Sequence, residues 1–408
     1  MHTYSDEQLR QYLDHIGFRG DARQQSSADP LGCLTRLQHR HMARVPFESL
    51  SLHYSRHRLL CLDPEDLFRK IVDRGRGGYC MEVNTLFAAV LRTLGFTLFS
   101  AGGRVRGPNG YKGWDHMVNI VTIDGQRYLV DVGYGSNGPP HPIPLRHDHE
   151  FVGVAPARGR LQHRRLEEHA DPAQRVWVFS TREDDSAAAV WREQYHFVET
   201  EFLPEDFEVM NLRTMTAPQS FFVQNVMCMW TLLGSAGPDG VQPPEGEAGG
   251  AGGDPEAAAA GPVGLLILHR DYVKRRVGAE SRIIEQLESE EQRTAALEKY
   301  FGIVLSPEEK TAIRGLASEL RPRAGHASGR WPFGASCVAN DTSLKQDACV
   351  RGDRLGCIGQ SSPVCDGKAV ERGKSPCRAR ARFGGPFDGA SIVPDLSQVT
   401  VNCGRDTL

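Results

Sequence analysis

The sequence predicts an α+β fold, and three observations carry that reading. A helical apolar face runs from Val83 to Leu94, two largely apolar strands flank an Asp-Gly pair at 124–125, and strand-like runs recur further along the chain. At 408 residues the chain is long enough for two or three packed units.

The helix comes first. Val83, Leu86, Phe87, Val90, Leu91 and Leu94 fall on one helical face, and Gly95 supplies the stop. Gly77 and Gly78 let the chain turn sharply into this helix, which places Cys80 in its first turn. The unpaired backbone N–H groups and the positive dipole end there favour thiolate over thiol. A free cysteine is more often a small buried packing residue, and Cys33 and Cys228 read that way. Cys80 gains meaning as a nucleophile only beside a base and a group that orients the base.

The hairpin supplies both. His116–Ile123 and Gln126–Gly133 flank Asp124-Gly125, a two-residue turn signal. If Ile123 pairs with Gln126, Val118 faces Asp131 and His116 faces Gly133, so His116 and Asp131 become diagonal neighbours on one face. A three-residue loop would instead put them on opposite faces. Taken singly, His116 reads as a core histidine and Asp131 as a turn or cap residue. With Cys80 they complete a set in which Asp131 fixes the tautomer of His116, and His116 stabilises the Cys80 thiolate.

These residues resemble the arylamine N-acetyltransferase family. The likeness covers most of residues 1–322. It runs through Gln11–Phe18, through Leu34–Leu50 with its Val-Pro-Phe-Glu-Ser-Leu ending, through Arg76–Asn84 around the cysteine, and through His116–Gly135. It continues in Asp206–Phe221 and in Leu297–Leu320. The resemblance implies three parts around a Cys–His–Asp triad like the core of cysteine proteases. These are a helical bundle (1–95), a β-barrel-like domain (96–210) and an α/β lid (211–322). It implies transfer of an acyl group from acyl-coenzyme A to arylamines, arylhydrazines or arylhydroxylamines through an acyl-Cys80 intermediate, with ping-pong kinetics. Acetyl-CoA is the default donor; propionyl and malonyl stay open, with Lys112 and Arg106 as cations that would meet an acidic acyl chain. Gly113, Thr216 and Ser220 match positions near the coenzyme. Phe47 and Tyr134 match the acceptor pocket, Tyr134 standing where many members carry Phe. Glu48 and Arg76 match a pair that holds the nucleophile loop to the bundle. Two other readings suit the same triad: a papain-like or transglutaminase-like hydrolase or acyl transferase, and a catalytically silent binding protein.

A net charge of −3 makes no electrostatic case for nucleic acid or an anionic membrane. No apolar run reaches transmembrane length, and the polar start has no signal-peptide core, so a cytoplasmic protein is expected. Of the 31 residues in 234–264, 22 are Gly, Ala or Pro, which reads as a flexible insertion in a hairpin of the lid. Residues 155–174 read as another loop, before strands around 176–179 and 191–197. The tail 323–408 holds six of the ten cysteines without the close pairs zinc motifs use, and reads as disordered. His39-Arg40-His41 reads as helix surface, and no metal constellation stands out.

Overall fold

Capping residues mark where the N-terminal helices begin. In the computed structural model, which describes residues 2–234 and 261–321, Ser5 and Gln8 form a reciprocal capping box at the start of α1 (Asp6–His15). Asp21 and Asp29 cap α2 (Ala22–Ala28) and α3 (Pro30–Arg44), and Pro30 opens α3 where its missing N–H costs nothing. Asp63 caps α4 (Pro64–Phe68), which runs into a π-helical turn, Arg69–Asp73. These helices pack around α5 (Cys80–Thr93). All six apolar residues expected on one face of α5 are buried, and so are Met81, Glu82, Asn84, Ala88 and Ala89. The helix is therefore enclosed almost all round. Gly95 follows it with φ +88°, the left-handed conformation that ends helices.

His41 differs from the surface reading of its tripeptide. It is fully buried in α3, with Nδ1 2.9 Å from the Tyr12 hydroxyl. Burial pulls its pKa down to about 3, so it sits neutral in the core. Its place on the inner stripe with Leu34 and Leu37 decides this, not its polarity.

A short strand β1 (Phe47–Glu48) leads, after α5, to a larger antiparallel sheet. Its members are β2 (Thr97–Gly107), β3 (Gly110–Tyr111), β4 (His116–Ile123), β5 (Gln126–Val130), β6 (Ile143–Pro144), β7 (His149–Val152), β8 (Arg158–Arg164), β9 (Val176–Arg182) and β10 (Arg192–Glu201). The order is β6-β5-β4-β2-β10-β9-β8-β7, with β3 attached to β2. The two ends, β6 and β7, are consecutive in the chain, so the sheet curls into a nearly closed barrel. Strand β8 lies inside the segment expected to be a loop. Its run Arg-Gly-Arg-Leu-Gln-His-Arg carries one fully buried apolar side chain, Leu161, and its polar composition hides the strand from a hydropathy reading.

Helices α6 (Pro204–Thr216) and α7 (Phe221–Gln224) then lead to β11 (Met227–Leu233), β12 (Pro262–His269), β13 (Tyr272–Val277) and β14 (Glu280–Gln286). The boundary expected at 210/211 falls within α6. With β1 they form a five-stranded sheet in the order β1-β11-β12-β13-β14, so the N-terminal part contributes an edge strand to the C-terminal sheet. Helices Glu290–Phe301 and Pro307–Ala312 follow, and Leu297, Phe301 and Ile313 join the core under this sheet. The hairpin around the Gly/Ala/Pro-rich segment is present as β11 paired with β12, which starts at Pro262 rather than Gly264. Residues 235–260 and 322–408, hence most of that insertion and the cysteine-rich tail, lie outside the described residues. Among the described residues no helix is long and apolar enough to cross a membrane.

Candidate active site

The loop before α5 is fixed by backbone contacts that only glycine permits. Gly78 N donates to Pro46 O (3.2 Å), and Glu48 N donates to Gly78 O (3.0 Å). A Cβ on Gly77 would stand 1.8 Å from Pro46 O, against backbone that cannot swing away. The Glu48 carboxylate accepts from Gly77 N at 3.2 Å and also from Leu50 N. Arg76 reaches Glu48 only at 3.9 Å; its direct hydrogen bond goes to Glu309, 3.0 Å away. The loop is thus tied to helix Pro307–Ala312 as well as to the bundle.

Cys80 is the first residue of α5, after Tyr79. Glu82 accepts from Tyr79 N at 3.1 Å and pairs with Lys70 Nζ at 2.6 Å, which holds the first turn in place. The Cys80 side chain is almost wholly buried, with Sγ 3.7 Å from Asp115 O. The other described thiols have different settings. Burial pushes Cys33 up to about 11 and Cys228 well above its ordinary value, while Cys61 Sγ lies 3.2 Å from Asp66 Oδ2.

The hairpin has a two-residue turn, with Asp124 and Gly125 at φ +49° and +78°. Ile123 pairs with Gln126 and Asn119 with Val130, and this register puts His116 and Asp131 on one face. His116 Nε2 lies 2.8 Å from Asp131 Oδ2, both residues buried. Burial alone would lower the His116 pKa. The Asp131 carboxylate, with a smaller contribution from Cys80, overcomes this and raises it to about 10. For Asp131 burial works toward protonation, but His116, Asn84 and the Gly133 N–H win and hold the carboxyl below its ordinary range.

Sequence reasoning quoted Asn84 but gave it no role. Its Nδ2 donates to Asp131 Oδ1 (3.0 Å) and Met117 O (2.9 Å), and its Oδ1 accepts from Val132 N (3.1 Å). It thereby joins α5 to both strands of the hairpin. The signal was present: Asn84 lies four residues after Cys80, on the same helical face. Gly133 permits the close approach, because a Cβ there would meet Cys80 Cα at 2.6 Å. Tyr195 was also missed; its ring centroid lies 4.7 Å from that of His116.

Phe47 and Tyr134 come together, lining a small cleft with Met42, Asp131, Met229 and Thr231. The Tyr134 ring packs edge-on to His116 at 5.3 Å, and its hydroxyl donates to Gln194 O at 2.9 Å. Gly113 and Thr216 are exposed, and Ser220 is half-buried at the start of α7. None of the three lines that cleft. The Thr216 hydroxyl is returned to Leu212 O at 2.5 Å. Arg106 is engaged by Glu168 and Glu193. Among the described residues no group of three or more His, Cys, Asp or Glu is placed to hold a metal ion.

A family profile described as N-acetyltransferase matches residues 30–235. The chain is 35% identical over 346 residues to the N-malonyltransferase FDB2 of Fusarium pseudograminearum (strain CS3096), covering 78% of this chain and 94% of that protein. It is 31% identical over 228 residues to arylamine N-acetyltransferase 1 of Homo sapiens, covering 54% of this chain and 76% of that protein. The solved structure of the arylamine N-acetyltransferase from Mycobacterium abscessus superposes with a TM-score of 0.59 at 25% identity, covering 75% of this chain and 93% of that one.

Proposed function

The chain belongs to the arylamine N-acetyltransferase family and is an N-acyltransferase, and from that premise we propose that Cys80, His116 and Asp131 carry out the transfer. The observation that supports this most is the buried His116–Asp131 hydrogen bond of 2.8 Å, on a histidine whose pKa Cys80, at the start of α5, helps to raise. In this reading the Cys80 thiolate attacks the thioester carbonyl of an acyl-CoA. Backbone N–H groups of the first turn of α5 face the developing oxyanion. The carbon–sulfur bond to CoA breaks, and the His116 imidazolium protonates the departing thiolate. The amine then attacks the acyl-Cys80 carbonyl and gives its proton to the now neutral His116. The carbon–sulfur bond to Cys80 breaks, the amide leaves, and the thiolate–imidazolium pair is restored.

The two half-reactions need opposite protonation states of His116. Part of what raises its pKa is Cys80 itself. Acylation removes that thiolate, so His116 moves down toward the range of a working base when the amine arrives. Asp131 holds the ring through both steps.

Malonyl-CoA is the donor we favour, because the likeness to the N-malonyltransferase spans far more of the chain than that to the human acetyltransferase. Gly113, Thr216 and Ser220 would contact the coenzyme, and Phe47 and Tyr134 the arylamine. A reactive thiol of this kind suits a reducing compartment, and we place the enzyme in the cytoplasm.

Intact-protein mass after brief incubation with acetyl-, propionyl- or malonyl-CoA tests this reading. One acyl mass on the wild type, none on Cys80→Ala, and discharge by an arylamine is the expected result. An adduct that persists in Cys80→Ala would sink it.

A further inference from the structure

The C-terminal sheet carries a cation that the transfer chemistry above does not use. Residues directly opposed across antiparallel strands share a face. Thr231 opposes Leu265, which opposes Arg276; Met229 opposes Ile267, which opposes Lys274. Met229 and Thr231 line the cleft that holds Phe47, Tyr134 and Asp131. Arg276 therefore lies on the same face, two strands further out.

Arg276 also lines a second small cleft, with Ser136, Asn137, Phe151 and Phe179. The two clefts meet at Gly138, which lines both. The Arg276 guanidinium donates to Ser136 O at 3.0 Å. Among the described residues no carboxylate pairs with it; burial without a counter-charge lowers its pKa. A planar, partly desolvated guanidinium with N–H groups left over is suited to two parallel hydrogen bonds from a carboxylate. The positions matched to the coenzyme, Gly113, Thr216 and Ser220, line neither cleft, whereas Phe47 and Tyr134, proposed above to meet the arylamine, line the first.

We propose that Arg276 selects the acceptor, binding the carboxylate of an acidic arylamine whose ring lies between Phe47 and Tyr134. The inference rests on the acyl-transfer reading above. It gives the second cleft a role: the acidic substituent points away from Asp131, whose charge would repel it, and toward Arg276, which has no carboxylate partner among the described residues.

The test uses wild type, Arg276→Gln and Arg276→Lys with 4-aminobenzoate and the uncharged 4-aminobenzamide. Each protein is acylated with acetyl-CoA, checked by intact mass, and the rate of discharge by each amine is measured. Arg276→Gln is expected to lose roughly 10- to 100-fold toward 4-aminobenzoate, with discharge by 4-aminobenzamide unchanged. Arg276→Lys keeps the charge but not the fork and should fall between. Equal losses for both amines, or no loss for either, would overturn the assignment. A loss confined to acylation by malonyl-CoA, with acetyl-CoA unaffected, would move the recognised carboxylate to the donor and overturn it too. Calorimetric binding of 4-aminobenzoate to the unacylated proteins reads Arg276 without Cys80 chemistry. A weaker Kd in Arg276→Gln is expected even if no acyl-Cys80 forms, and an unchanged Kd would count against the proposal.

Discussion

The surroundings of Cys80 and those of Arg276 are built on opposite principles. Around Cys80 the polar groups are buried and engaged: Asp131 has three partners, Asn84 serves two strands, and both glycines are needed for close approach. At the other end a guanidinium is half-buried with one carbonyl for company. The first arrangement fixes a geometry before any substrate arrives, as reacting groups need. The second leaves donors for a ligand to complete, as selection needs. Mutations should therefore act differently at the two ends. At the catalytic end they slow both half-reactions for every substrate; at the rim they sort substrates and leave acylation alone.

The largest expected effect is at Cys80 and the carboxylate behind its partner. Cys80→Ala should form no acyl adduct and lose activity by about four orders of magnitude or more. Asp131→Asn should keep the fold but cost roughly 10³- to 10⁴-fold in both half-reactions, because the tautomer and the charge are lost together. The same variant tests the pH behaviour. His116 is raised above its ordinary 6.5 to about 10, so its contribution to stability is fully present below pH 6.5 and is lost as pH rises through about 10. The wild-type unfolding midpoint should thus drop between pH 7 and 10.5 by more than that of Asp131→Asn. Equal drops would show that Asp131 does not hold the imidazolium.

Asn84 comes next. Asn84→Ala strips Asp131 Oδ1 and Val132 N of a partner in a dry interior. A loss of about 1–3 kcal/mol is expected in chemical denaturation, with acylation slowed roughly 10-fold or more. Stability lost with full acylation rate would make Asn84 a strut only, and the catalytic end less exacting than its geometry indicates.

How much of this contrast was legible beforehand follows from chain distance. The helix at Cys80 and the hairpin at 116–133 are local patterns, so periodicity and one Asp-Gly turn were enough to bring His116 and Asp131 to one face. Asn84 shares the helical face of Cys80 and could have been read by the same rule. Arg276 could not. Its position depends on β12–β13 register and on a contact with Ser136, 140 residues away in sequence. Nothing in Tyr-Val-Lys-Arg-Arg-Val announces which of its cations faces a cleft. Strand β8 and the burial of His41 were hidden for a related reason: tertiary partners, not composition, decided them. The place of β1 in the C-terminal sheet is likewise a long-range pairing, Phe47 with Met229.

Tyr134 is where the two ends meet, and it should give the smallest effect and the sharpest discrimination. Its ring packs on His116, while the same side chain lines the cleft and its hydroxyl is spent on Gln194 O. Tyr134→Phe keeps the ring and removes one hydrogen bond, which costs about 1 kcal/mol of stability. If the ring alone supports His116, acylation of Cys80 should stay within about twofold, since nothing made only in the transition state has been removed. The Tyr134 side chain that lines the proposed acceptor cleft would still become less polar, so KM for arylamines should shift, by a few-fold, with kcat for a given donor little altered. Pre-steady-state acylation beside steady-state acceptor kinetics separates these. A slowed acylation would place the Tyr134 hydroxyl, which reaches Gln194 and not the imidazole, within the catalytic half of the molecule, and the boundary between fixed chemistry and adjustable selection would have to be drawn further along, on the Arg276 side of Gly138.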